Sequence, residues 1–273
     1  MPAPNDTTHD ANNKENSDIE GYAAHTQSNG GFGHSNGTNN PVAMLPAFGG
    51  QFQPGPYTPN FRKFANPAPL GLCAFALTTF VLSLVNANAR NVGVPNIVVG
   101  LAYAYGGLIQ LLAGMWEMAV GNTFGATALS SYGGFWISYA MIQTGGFGIA
   151  AAYGDDKAAL MSALGFYLIA WFIFTTLLLV CTMKSTLAFF SLFFFLDITF
   201  LLLAIAHFNT VDGGVNLSVQ KAAGIFGLIT AFIAWWNALA GMAETSNSFF
   251  TIPVLHFPWS EKVKAERRAS KND

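Results

Sequence analysis

The chain has 273 residues, 52% of them hydrophobic and only 10% charged, with a formal net charge of −2. A soluble domain carries about 25% charged residues, so the composition excludes an ordinary soluble domain and points to a membrane protein. No basic stripe with interleaved aromatics is present, so nucleic acid is not an expected partner.

Residues 1–56 are rich in Asn, Gly, Ser, Thr and His, as in Ser35-Asn36-Gly37-Thr38-Asn39-Asn40. Such a stretch buries too little apolar surface to offset its ordering entropy, and a disordered cytosolic tail is expected. No apolar run follows Met1, so this stretch does not read as a secretory signal. In residues 57–66, Phe61 and Phe64 flank Arg62 and Lys63. That pattern suits a short segment on the membrane interface.

Asn66-Pro67-Ala68-Pro69-Leu70-Gly71-Leu72 opens the apolar part of the chain. Asn66 is a capping residue, and proline in a first helical turn removes an N–H that has no intrahelical partner anyway. Six apolar segments follow, at about 67–86, 97–116, 124–143, 159–181, 187–208 and 222–243. Each is near the ~20 residues a helix needs to cross the hydrocarbon. The third is the least apolar, because of its Ser, Thr and Gly. The fold expected is an all-α integral membrane bundle over 67–243, with 244–273 as a second cytosolic tail.

An even number of spans puts both termini on one side. Lys14, Arg62, Lys63, Lys184, Lys262, Lys264, Arg267, Arg268 and Lys271 belong to that side, against Arg90, Lys157 and Lys221 on the other. The positive-inside rule then places both termini in the cytosol.

An enzyme has little to work with here. The five histidines are scattered, with His207 at the end of the fifth segment, and no nucleophile–base pair or metal cluster can be assembled from their spacing. No catalytic residue, metal or cofactor is expected. Cys73 and Cys181 fall in apolar segments and read as buried thiols. Polar groups inside the apolar helices are the informative feature, since in a membrane they usually face a bundle interior or a pore. In the third segment Thr127, Ser131, Gly134 and Ser138 share one helical face and are expected to line a wet path for a small carboxylate. Phe75 and Thr79 share a face of the first segment. Gln110 and Glu117 lie towards the inner end of the second, and Asn122 and Thr123 start the third, where free N–H groups favour anions. Asp197 sits amid Phe and Leu, where a charge costs about 2.5–3.5 kcal/mol. A proton-coupling role and a neutral, hydrogen-bonded carboxyl are both open to it.

The motifs at Asn66–Leu72, Tyr105-Gly106-Gly107, Gly121-Asn122-Thr123-Phe124-Gly125, Ser131-Tyr132-Gly133 and Cys181-Thr182-Met183-Lys184-Ser185-Thr186 fall in register over roughly residues 58–250. Together they resemble the acetate uptake transporter family, fungal and bacterial carriers of acetate and related small monocarboxylates. The resemblance implies a plasma-membrane transporter or channel, with or without a coupled proton, assembled as a homohexamer with a pore in each protomer. It also implies an apolar constriction at Phe75, nine residues after Asn66, at Tyr132, and at Leu196, twelve after Lys184. Asn66, Thr79, Gln110, Glu117, Asn122, Thr123, Thr127, Ser131, Ser138 and Asp197 are the remaining expected path residues. Two other readings stand beside it: export of ammonium or ammonia, and a sensor that signals acetate through the long tail.

Overall fold

The computed structural model describes residues 43–44, 56–57, 64–253 and 255–270, in two units, 1–63 and 64–273. In the first unit, the two-residue strands β1 (Ala43–Met44) and β2 (Pro56–Tyr57) pair antiparallel, with Ala43 opposite Tyr57. The remainder of the expected 1–56 tail and most of the 57–66 segment lie outside the described residues.

The second unit is helical. Its long helices are α1 (Ala68–Asn86), α2 (Asn96–Ala119), α3 (Thr123–Gln143), α4 (Lys157–Cys181), α5 (Leu187–Phe208) and α6 (Leu217–Met242). Each starts where the side chains allow. At the heads of α3, α4, α5 and α6, Asn122, Asp156, Thr186 and Asn216 accept from the N–H groups of Gly125, Ala159, Phe189 and Val219. At the head of α1, Asn66 Oδ1 accepts from Ala68 N at 3.1 Å, ahead of the first-turn prolines.

All six expected segments are present. Five are long and apolar enough to cross a membrane by length and composition; α3 is long enough but falls short on apolar character. Its apolar stretches are broken by Thr127, Ser130, Ser131, Gly133, Gly134 and Ser138. This is a multi-pass membrane protein.

The helices pack side by side in the order α4, α5, α6, α1, α2, α3. Small residues set the closest approaches. A Cβ on Gly114 would stand 2.5 Å from the backbone N of Ser130, and one on Gly133 would stand 2.8 Å from that of Leu111. The α2–α3 seam therefore has room only for hydrogen. Side chains complete the ring between α3 and α4, through Tyr132–Thr175 and Ser138–Tyr167. Helix α2 carries a π-turn at Ala104–Ile109, immediately before Gln110. Such a turn holds one residue more than an α-turn and resets the faces on either side of it.

The tryptophans divide between surface and core. Trp116 and Trp236 are exposed, whereas Trp136 is buried and Trp171 packs on Tyr132 and Phe135. Beyond α6 the chain returns to the α4–α5 connection. Leu187 N donates to Leu255 O, Trp259 Nε1 donates to Met183 O, and Phe257 stacks on Trp259. A short basic helix, α7 (Glu261–Ala269), follows.

Candidate functional site: two cavities and an aromatic seal

A cavity of about 400 Å³ opens between the start of α1, the α2–α3 connection and the α4–α5 connection. Its walls are largely apolar, from Leu72, Phe124, Ala128, Phe189, Leu192 and Phe193. Gln110, Asn122, Thr182 and Ser185 add polar groups. It ends against Phe75, Tyr132 and Leu196, each no more than 5% exposed.

The end wall is deep and aromatic. Phe75 and Tyr132 lie 5.9 Å apart between centroids, and Tyr132 is nearly parallel to Phe200 at 6.4 Å. Phe135 meets Phe200 edge-on at 5.2 Å and Trp171 at 5.2 Å. These rings bury large areas and fix one another's orientation. Tyr132 also has a polar anchor: its hydroxyl lies 2.9 Å from Thr175 Oγ1. Thr175 in turn donates its one proton to Trp171 O at 2.7 Å. A carbonyl only accepts, so Tyr132 is the donor of the pair.

Beyond the seal lies a second cavity of about 100 Å³, walled by Leu82, Phe135, Tyr139, Tyr167, Leu203 and His207 among others. Phe75 and Leu196 line the first cavity; Leu82 and Leu203, each seven residues further on, line the second. At 1.5 Å per helical residue the separation is about 10 Å along α1 and α5, whereas on α3 Tyr132 lines the first cavity and Phe135, one turn on, lines the second. Among the described residues, no Asp, Glu, Lys or Arg lines either cavity.

The first cavity also has a polar corner. Gln110 is fully buried on α2, and neither atom of its amide has a partner among the described residues. One helical face further along, Glu117 is 2% exposed. Its Oε2 accepts from Asn122 Nδ2, while Oε1 has no partner. Asn122 thus caps α3 with its oxygen and holds the end of α2 with its nitrogen. Leaving an amide unpaired in the interior is costly, so Gln110 is a group waiting for a ligand or water.

Of the thirteen expected site residues, the structure gathers Phe75, Gln110, Asn122, Tyr132 and Leu196 around one cavity, with Glu117 bonded to it through Asn122. Asn66 is at the entrance of α1, packed near Gly241 of α6. Thr79 is buried within the seal's length of α1, its hydroxyl unpartnered. Thr123 is exposed at the start of α3.

None of Thr127, Ser131, Gly134 and Ser138 is among the described residues lining the two cavities. Thr127 is exposed, and nothing stands within 4 Å of a Cβ on Gly134. Thr127 donates to Thr123 O on its own helix, and the Ser138 hydroxyl bonds with Phe135 O and with Tyr167 of α4. The cavity wall of α3 is instead Ala128, Leu129 and Tyr132. Asp197 lines neither cavity; it is half-buried, and its Oδ1 accepts from Thr176 of α4 at 3.0 Å. That geometry matches the hydrogen-bonded carboxyl between helices. Cys181, expected to be buried, is exposed and lines the first cavity, because it is the last residue of α4. The second cavity, with Tyr139, Tyr167 and His207, has as its sequence signal a set of polar rings near the ends of three apolar helices.

Comparison with known proteins places this geometry. The model of the GPR1/FUN34/yaaH family matches residues 48–259. Acetate permease A of Emericella nidulans is 58% identical over 249 residues, spanning 89% of this chain and 84% of that one. Ammonia transport outward protein 2 of Saccharomyces cerevisiae is 54% identical over 220 residues, spanning 81% and 76%. Among solved structures, that of the bacterial acetate channel SatP superposes with a TM-score of 0.60 at 33% identity, covering 70% of this chain and 99% of that chain. On sequence and on fold, the chain belongs to the GPR1/FUN34/yaaH family.

Proposed function

We propose that this protein carries acetate and related short monocarboxylates across a membrane, along the line of the two cavities. The observation that carries the reading is the aromatic seal between them, with no charged side chain among the described residues on the walls at either end. A bare carboxylate loses its hydration there with nothing to replace it. A small neutral acid does not, so the seal favours the protonated form and a proton-linked flux. Relatives named as an acetate permease and an acetate channel support the same substrate. Phe75, Tyr132 and Leu196 form the constriction in this reading, and Gln110, Glu117 and Asn122 receive the carboxylate at the inner mouth.

Six crossings put both termini in the cytosol and the lysine- and arginine-rich ends beside the inner leaflet. The plasma membrane is the membrane we assign. The partly exposed stripe of Thr127, Ser131 and Gly134 on α3 suits contact between protomers of a homohexamer. The polar Thr127 and Ser131 then serve assembly rather than the path, while Ser138 ties α3 to Tyr167 of α4, Asn66 caps α1 and Asp197 ties α5 to Thr176 of α4.

A second reading, ammonia or ammonium export, is favoured by the name of the Saccharomyces cerevisiae relative and by the aromatic seal, which passes a small neutral amine as readily. The separating experiment is uptake of labelled acetate and of labelled methylammonium by purified protein in liposomes. Acetate uptake above empty liposomes, unaffected by methylammonium, supports the first reading. Methylammonium flux alone supports the second.

A further inference from the structure

We propose that His207 is the proton-bearing residue that receives the carboxylate in the outer cavity, loading anion and proton together before the seal. This deepens the acetate reading and rests on it. His207 lies one turn beyond Leu203 on α5, and both line the outer cavity. Its Nδ1 lies 2.8 Å from Leu203 O. A carbonyl only accepts, so Nδ1 carries a hydrogen in either protonation state and the tautomer is fixed. All the change on titration falls on Nε2. Neutral, it offers a lone pair; protonated, it offers a charged donor to a carboxylate oxygen.

The surroundings suit that role. The titratable groups facing the cavity with His207 are Tyr139 from α3 and Tyr167 from α4; α1 and α6 contribute the amides Asn86 and Gln220, joined at 3.1 Å. None of these exchanges a proton between pH 5 and 8, whereas histidine ordinarily does, near pH 6.5. Tyr167 is already committed, its hydroxyl bonded within a cluster with Ser138 at 2.8 Å and Phe135 O at 3.1 Å. His207 is therefore the one group on this wall able to hand over a proton.

The step balances. A proton from outer water binds Nε2, and the carboxylate pairs with the imidazolium. As the substrate meets the seal, the N–H proton passes to the carboxylate oxygen. Neutral acid enters the apolar stretch, and His207 is left neutral with its Nε2 lone pair restored. The cavity volume of about 100 Å³ admits one small acid rather than a long chain.

The test is the pH profile of the acetate KM for the full-length protein in liposomes, with empty-liposome permeation subtracted. A carrier that takes only preformed acid shows KM for total acetate rising tenfold per pH unit from about pH 5 upward, as the acid fraction falls. Loading onto a protonated His207 predicts a flat KM that turns upward only where the histidine titrates. His207→Gln should raise KM at pH 5.5 at least tenfold and abolish the flat region. His207→Asn should do the same while keeping a donor for Leu203 O, as Asn237 donates to Ile233 O in α6. A purely structural role would lower Vmax and leave the shape of the KM profile intact.

A wild-type KM that climbs steadily from pH 5, with no flat region, overturns the proposal without any variant. So does a wild-type profile retained in either substitution. No saturable acetate uptake by the wild type overturns the acetate reading as well, which distinguishes the two failures.

Discussion

Tyr132 donates its buried hydroxyl to Thr175 across the side of the bundle where α3 and α4 meet through side chains. The pair holds the central ring of the seal at a fixed tilt between Phe75 and Phe200. The two substitutions that break it are unequal. Tyr132→Phe leaves Thr175 still donating to Trp171 O, with nothing orphaned. Thr175→Val strands the buried phenol, which costs about 1–3 kcal/mol. Thermal unfolding of the purified variants should therefore rank Thr175→Val well below Tyr132→Phe. The double variant should recover most of the loss, because the stranded group is gone.

Gln110 presents the opposite case, a group whose removal should help the fold. Its amide is fully buried with both polar atoms unpartnered. Gln110→Leu keeps the volume and removes the desolvation cost, so the unfolding midpoint should hold or rise. Acetate uptake should fall at least tenfold, since the cavity loses its deepest polar contact. A loss of stability together with unchanged uptake would show that Gln110 is a structural residue with an unseen partner.

Cys181 gives a chemical handle on the inner cavity. It is exposed on the cavity wall, while Cys73 is half-buried on α1. A small methanethiosulfonate reagent applied to the inner face should reduce uptake several-fold, and acetate should protect. Cys181→Ser should abolish the inhibition and Cys73→Ser should not.

The helices were legible because hydropathy and capping report on local chemistry. The expected segments 124–143, 159–181 and 187–208 match α3, α4 and α5 within about two residues. Helix α6 starts five residues before the expected 222, because Asn216 caps a first turn of Leu217–Lys221 that looks polar in sequence. The π-turn in α2 left no pattern, since Ala104–Ile109 reads as ordinary helix. Periodicity identified the hydroxyl stripe of α3 but not the neighbour it meets. Serine and threonine satisfy themselves on their own helix, as Thr127 does on Thr123 O, so their presence does not require a wet path. The cavity walls are instead alanine, leucine and phenylalanine, which in sequence look like any core. Phe75, Tyr132 and Leu196 came from family resemblance, and the structure places all three on one wall.

The central claim is that substrate crosses between Phe75, Tyr132 and Leu196. The most direct measurement is uptake of labelled acetate, propionate and butyrate by liposomes holding wild type, Phe75→Ala or Leu196→Ala. Removing a side chain from the narrowest wall should raise butyrate uptake relative to acetate several-fold in both variants, with the fold checked by thermal unfolding. Folded variants whose preference among the three acids matches the wild type would place the path elsewhere and contradict the account.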